Sequence, residues 1–138
     1  MIDINNSRDT KKQFWKVLGD HMRKGNKFFE DLELLPDALE LWDYVQKHDH
    51  FICTATGHMM NAGFEKRAAV RRHFGIEASN AAILVKHSEL KALHASPTTI
   101  LIDDRTKSIN PWIEAGGIGI LHKSTSDTIR QLKELGVD

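Results

Sequence analysis

Hydrophobic residues form four short, nearly uninterrupted runs in the last two thirds of the chain. Runs of this length, bounded by polar or small residues, are typical of strands that are covered on both faces, as in parallel sheets. Segments with apolar residues at helical spacing separate them, which predicts an α/β fold with a doubly wound parallel sheet. The four predicted strands are Phe51–Thr54, Ala82–Val85, Thr99–Ile102 and Gly117–Leu121.

The helical segments carry start and stop signals that agree with this alternation. Pro36 suits a first helical turn, and Gly75 follows the last apolar position of a helix. Ser124 and Asp127 form a pair like a capping box. The predicted helices are Thr10–Arg23, Pro36–Lys47, Glu65–Phe74, Ser108–Ala115 and Ser124–Leu135.

Parallel strands place their carboxyl ends at one edge of the sheet, which we call the carboxyl edge, and ligands of such sheets bind there. The residues directly after each strand are therefore the first candidates for chemistry. They are Thr54 to His58, Lys86 to Lys91, Asp103 to Arg105, and His122 to Lys123.

Composition narrows the classes of protein to consider. The 138 residues fit a single domain, 1–138, and 19 basic residues balance 19 acidic ones, so no net field favours nucleic acid or membranes. The single cysteine, Cys53, excludes a disulfide within the chain, and its apolar surroundings predict a buried, inert thiol rather than a nucleophile. We find no signal peptide and no apolar stretch near the roughly 20 residues of a membrane span, so a cytoplasmic location is expected.

The strongest chemical signal is Asp103-Asp104, directly after an apolar strand. Adjacent carboxylates repel each other, and a hard cation such as Mg²⁺ relieves that repulsion while it also binds phosphate oxygens. The alternative is a helix cap or a solvated turn, because Asp is common in both.

Hydroxyl and ammonium groups supply two weaker signals. Thr54 and Thr56, with Gly57 behind them, can present O–H and N–H groups to an anion, although a polar strand end with a flexible turn has the same composition. Lys66 and Lys91 can neutralise a phosphate or a carboxylate, but lysines are usually solvated charges.

Together, these residues give the chain a resemblance to the haloacid dehalogenase-like superfamily, in particular to its 5'-deoxynucleotidase branch. A Thr that closes an apolar strand, a later Lys and an acidic pair occur in the order of that superfamily's second, third and fourth motifs. The resemblance covers about residues 28 to 123. Its pieces are Leu35-Pro36-Asp37-Ala38, Ile52-Cys53-Thr54-Ala55, Glu65-Lys66-Arg67-Ala68, His73-Phe74-Gly75, Leu101-Ile102-Asp103-Asp104-Arg105 and the block from Trp112 to His122.

The resemblance implies a role for each matched residue. Asp103 and Asp104 would hold Mg²⁺, and Thr54, with Ala55, would bind the transferring phosphoryl group. Lys66 would contact the phosphate, and Lys91 would steady the charge of the nucleophile. Lys86 competes with Lys91 for that last role.

The activity implied is Mg²⁺-dependent hydrolysis of a phosphomonoester through an aspartyl-phosphate intermediate, with a (deoxy)nucleoside monophosphate as the expected substrate. The alternative is a catalytically inactive relative that binds a nucleotide or a protein partner. A truncated product without independent function is a third reading.

The first motif of the superfamily, a strand that ends in Asp-x-Asp, is missing or degenerate. Asp3 is the candidate nucleophile, but Asn5 stands where a proton-shuttling carboxylate would be. The alternative for this stretch is a frayed polar N-terminus. The stretch 10–29 would be a remnant of the helical cap. Without a first strand, the strands that end at Thr54 and Asp103 would keep unpaired edges or close up on each other. Residues 1–5, a strand-donating partner or a second copy of the chain could fill that place.

Overall fold

The computed structural model of the protein describes residues 37–58 and 61–138. Short strands alternate with helices along this part of the chain, as the apolar pattern predicts. The helices are α1 (Ala38–Val45), α2 (Ala62–Phe74), α3 (Ile76–Ala81), a 3-10 helix (Ser88–His94), α4 (Thr106–Glu114) and α5 (Thr125–Glu134). The strands are β1 (Cys53–Ala55), β2 (Ile83–Val85), β3 (Ile100–Asp103) and β4 (Ile118–Leu121).

All four of these strands are in parallel pairs. β1 pairs with β2, with Thr54 opposite Leu84, and β3 pairs with β4, with Asp103 opposite Leu121. The α/β architecture of the prediction is therefore confirmed. Within residues 37–58 and 61–138, however, the strands form two separate two-stranded sheets rather than one sheet of four.

In the described ranges, β1 and β3 each pair along one edge only. Residues 1–5, Asp3 among them, and the stretch 10–29 that was predicted to be a cap remnant lie outside the described residues.

The β3–β4 half is held together by apolar packing. Leu101 from β3 packs with Ile109 and Trp112 from α4, and all three are buried. Gly117 makes this packing possible because a Cβ atom at this position would lie 2.2 Å from Nε1 of Trp112. A Cβ atom at Gly119 would likewise lie 2.9 Å from Cγ1 of Ile113 and 3.0 Å from Cγ2 of Ile109, which is closer than the optimal separation of about 3.5–4.0 Å between carbon atoms.

The β1–β2 half relies more on hydrogen bonds. The guanidinium of Arg67 on α2 donates to the carbonyl oxygens of Ser79 and, at 3.3 Å, Ala82. The hydroxyl of Ser79 donates back to the carbonyl oxygen of Arg67 at 2.9 Å. These bonds tie α2 to α3 and to the residue that precedes β2. Hydrogen bonds from Arg67 and Ser79 thus connect the elements of this half, whereas apolar contacts connect the elements around Trp112.

Helices α1 and α5 pack together and are joined by polar contacts. The hydroxyl of Thr125 donates to the carbonyl oxygen of Asp37 at 3.0 Å. The hydroxyl of Tyr44 donates to the carbonyl oxygen of Val137 at 2.7 Å. The predicted cap is also present, because Ser124 Oγ accepts a hydrogen bond from the backbone N–H of Asp127 at 3.2 Å.

Three details differ from the sequence prediction. Helix α3 was not predicted, since six residues are too few to show helical periodicity. Strand β1 begins at Cys53, and Phe51 is 65% exposed rather than part of a buried strand. The strands were predicted to be buried, and the Cys53 thiol with them, but every residue of β1 and β2, Cys53 included, is only partly buried. Within the described ranges, no helix has the length and apolar content that a membrane crossing requires.

Candidate phosphate site at the carboxyl ends of β1 and β3

The buried ion pair between Lys91 and Asp103 is the centre of the site. Lys91 Nζ lies 2.6 Å from Asp103 Oδ2, and the two side chains are 9% and 8% exposed. Asp103 ends β3, and the 3-10 helix carries Lys91 across the chain segment between β2 and β3. The pair therefore connects the two halves of the described fold at the carboxyl edge.

Lys66 holds the matching position at the end of β1. Its ammonium group donates to the carbonyl oxygen of Ala55 and, at 3.4 Å, to the hydroxyl oxygen of Thr54. The first turns of α2 follow β1 closely enough in the chain for Lys66 to reach back over the strand end. The three residues predicted to bind phosphate, Thr54, Ala55 and Lys66, are thus in contact.

Electrostatic effects show that the ends of β1 and β3 share one environment. Burial lowers the pKa of Lys66 most, and repulsion from the positive charges of Lys91 and Arg105 lowers it further. Burial also raises the pKa of the Cys53 thiol, which Lys91 opposes and Asp103 reinforces. The charges of Lys91 and Arg105 are therefore near enough to Lys66 to influence it.

Asp103 is ionised in spite of its burial. Desolvation acts to raise the pKa of Asp103, but the net effect of its surroundings is to lower that pKa below the ordinary value. The hydrogen bond and the charge of Lys91 contribute most to this lowering, and smaller contributions come from the backbone N–H of Arg105 and the hydroxyl of Ser108. The N–H of Arg105 donates to Asp103 Oδ1 at 3.0 Å. Ser108 is fully buried beside the carboxylate, and its hydroxyl makes no well-formed hydrogen bond within the described residues.

Asp103 and Asp104 are the residues that would hold a Mg²⁺ ion with part of its water shell. Asp104 is exposed next to Asp103, whose two oxygens already accept from Lys91 and Arg105. In the part of the chain that the structure describes, no group of three or more His, Cys, Asp or Glu side chains is arranged to hold a metal. Mg²⁺ is commonly bound by only one or two carboxylates together with substrate phosphate oxygens, and Asp103 and Asp104 match that donor set.

The remaining candidates lie at the edge of the site or away from it. Lys86, the competitor of Lys91, is exposed, whereas Lys91 is buried on Asp103. The hydroxyl of Thr56 makes only long hydrogen bonds, of 3.4 Å, to the carbonyl oxygens of Gly57 and Val85. Its role as an anion-binding group stays a prediction.

Sequence reasoning missed the roles of Arg105 and Ser108. Arg105 is part of the resembling Leu-Ile-Asp-Asp-Arg block, so its charge beside the acidic pair was a usable signal. Ser108 lies five residues after Asp103, inside a helix, and no sequence pattern marks it as a neighbour of the carboxylate.

Comparison with known proteins adds no relative: no protein-family model, no curated protein and no solved structure matches the chain.

Proposed function

We propose that the protein is a Mg²⁺-dependent phosphomonoester hydrolase of the haloacid dehalogenase-like kind, with a (deoxy)nucleoside monophosphate as substrate. The observation that supports this most is that Lys66 contacts Thr54 and Ala55 at the end of β1 while Lys91 pairs with Asp103 at the end of β3. The positive charges of Lys91 and Arg105 also lower the pKa of Lys66. Cations that repel one another are stabilised when an anion binds among them.

Each side chain has a distinct task in this proposal. Lys66 and Arg105 attract the phosphate dianion, and the Thr54 hydroxyl donates to one of its oxygens. Asp103 and Asp104 hold Mg²⁺, which would neutralise charge on the phosphoryl oxygens. Lys91 holds Asp103 in its ionised form and orients it. The proposed nucleophile, Asp3, lies outside the described residues.

One observation favours the second candidate function, nucleotide binding without turnover. Both carboxylate oxygens of Asp103 accept hydrogen bonds from within the protein, from Lys91 and from Arg105. A carboxylate engaged in this way is a weaker metal ligand than a free one, whereas the cations around it bind an anion without a metal.

The strand-donating partner or second copy of the chain is also part of the proposal, because β1 and β3 each have an unpaired edge in the described ranges.

Phosphate release from a panel of deoxynucleoside monophosphates, in Mg²⁺ and in EDTA, tests the hydrolase. We expect turnover in Mg²⁺, its loss in EDTA, and at least a hundredfold loss in Asp104→Ala, since one of two metal-binding carboxylates is removed. Asp43→Ala, which removes an exposed carboxylate on α1, is the matched control and should retain full activity.

The same samples separate the two candidate functions. A rise in melting temperature with nucleotide but no phosphate release would replace the hydrolase with the binding protein. Neither turnover nor stabilisation by any phosphate ester would contradict both.

A further inference from the structure

Two exposed histidines stand together at the carboxyl edge of the β1–β2 sheet. The backbone pairing continues past both strands, with Thr56 N–H bonded to the carbonyl oxygen of Val85 and Gly57 N–H to that of Lys86, each at 2.8 Å. His58 and His87 are the next residues on the two segments. Their ring centroids are 4.9 Å apart and the ring planes make an angle of 62°, an edge-to-face contact.

The ring pair lies at the same edge as the phosphate site. Thr54 and His58 are four residues apart, so their Cα atoms are separated by at most about 14 Å, and the chain turns between them at Gly57, whose φ is +64°. A phosphate group bound at Thr54 and Lys66 would leave its ester substituent to extend along this edge.

We propose that His58 and His87 bind the base of a nucleotide whose phosphate lies at Thr54 and Lys66, an inference that rests on the proposed function. An edge-to-face pair leaves ring faces uncovered, and nucleobases stack on such faces, histidine included. A substrate with a planar aromatic substituent gains this contact, whereas a sugar phosphate does not. The site thereby selects nucleotides over other phosphomonoesters.

The hydrogen-bonding state of the two rings agrees with this role. Within the described residues, neither His58 nor His87 makes a hydrogen bond through its ring nitrogens. His122, by contrast, is fixed at the same edge by a 2.7 Å contact between its Nδ1 and Thr128 Oγ1. The nitrogens of the ring pair are therefore available to the polar edge of a base.

Paired ligands and paired variants test the assignment. Dissociation constants are measured by calorimetry for deoxythymidine monophosphate and for deoxyribose 5-phosphate, which has the same phosphate and sugar but no base. Both are measured in EDTA, and again with Ca²⁺ in place of Mg²⁺. The variants are His58→Ala with His87→Ala, His58→Phe with His87→Phe, and His94→Ala, which removes an exposed histidine of the 3-10 helix.

We expect the double alanine variant to bind the nucleotide at least about fivefold more weakly, because a stacked base contributes about 1–3 kcal/mol. Binding of deoxyribose 5-phosphate should be unchanged, the double phenylalanine variant should retain most of the nucleotide affinity, and His94→Ala should match the wild type.

Equal losses for both ligands, or no loss for the nucleotide, would overturn the base-binding role and leave the proposed function intact. If the wild type bound neither ligand under either condition, that result would contradict both the proposed function and the base-binding role.

Discussion

The two halves of the described fold are held together by different forces. In the β3–β4 half, Leu101, Ile109 and Trp112 form a buried apolar cluster, and Gly117 allows Trp112 to approach the backbone. In the β1–β2 half, the strands have three residues each and are only partly buried, and Arg67 and Ser79 supply much of the connection between elements.

The difference explains where the candidate site lies. Lys91 and Asp103 sit at the junction, with Asp103 fixed by the apolar half and Thr54 and Lys66 carried by the polar half. An apolar cluster defines the position of its backbone closely. Hydrogen-bonded elements with less buried apolar surface open more easily. The carboxylates proposed to bind the metal therefore lie beside the half with the apolar cluster, and the groups proposed to bind phosphate lie in the half with less buried apolar surface.

Trp112→Ala should have the largest effect, because it removes the largest member of the apolar cluster. We expect a loss of about 3–5 kcal/mol in the free energy of unfolding, measured by urea denaturation. Leu93→Ala is the control, since that side chain is 78% exposed on the 3-10 helix. Similar losses in the two variants would show that the β3–β4 half does not depend on this cluster.

Lys91→Met should rank second, because it leaves the buried carboxylate of Asp103 without its cation. We expect a loss of about 2–3 kcal/mol in the free energy of unfolding at pH 7 in EDTA. This is at or below the lower end of the roughly 3–5 kcal/mol for breaking a buried ion pair, because Asp103 lies at a strand end. The control, Lys107→Met, removes an exposed ion pair to Glu89 and should cost less than about 1 kcal/mol.

Acidification should reduce the difference in the free energy of unfolding between the wild type and Lys91→Met. In the wild type the pKa of Asp103 is lowered in the folded state, so its contribution is present above the unfolded value near 4 and is lost as the pH falls through the folded value. Without Lys91, burial instead favours the protonated carboxyl, and the variant gains relative stability in acid. A gap that does not change between pH 7 and pH 3 would contradict the ion pair as the cause.

Arg67→Ala should have the smallest of the three effects, about 1–2 kcal/mol, because the carbonyl oxygens that lose its hydrogen bonds can regain some from water. Hydrogen exchange should localise the change to α2 and α3. Arg71→Ala, on the exposed side of the same helix, should change stability by less than about 0.5 kcal/mol. Faster exchange in α4 as well would mean that the two halves are not held independently.

The apolar pattern predicted the alternation of strands and helices because each buried run is short and bounded by polar residues. It placed β3 and β4 within a residue or two of their observed bounds. It could not reveal that the four strands would form two pairs, since strand order depends on contacts between residues distant in sequence. Phe51 was misplaced because hydrophobicity alone does not distinguish a buried aromatic residue from an exposed one.

The candidate site was predictable where side-chain chemistry coincides with a strand end, as at Thr54 and Asp103. The sequence favoured Lys91 for the third motif but left Lys86 as a competing candidate. The 3-10 helix is what brings Lys91, and not Lys86, onto Asp103. The roles of these residues in catalysis, and Mg²⁺ as the metal, stay predictions.

The position of Cys53 makes the chain suited to chemical labelling at the site. It is the only thiol in the sequence and lies on β1, within the electrostatic influence of Lys91 and Asp103. Cys53 is only partly buried, and that burial raises the pKa of its thiol, so alkylation should be slow and should speed up when β1 becomes more accessible. The rate of alkylation therefore reports changes in the accessibility of β1 without an engineered residue.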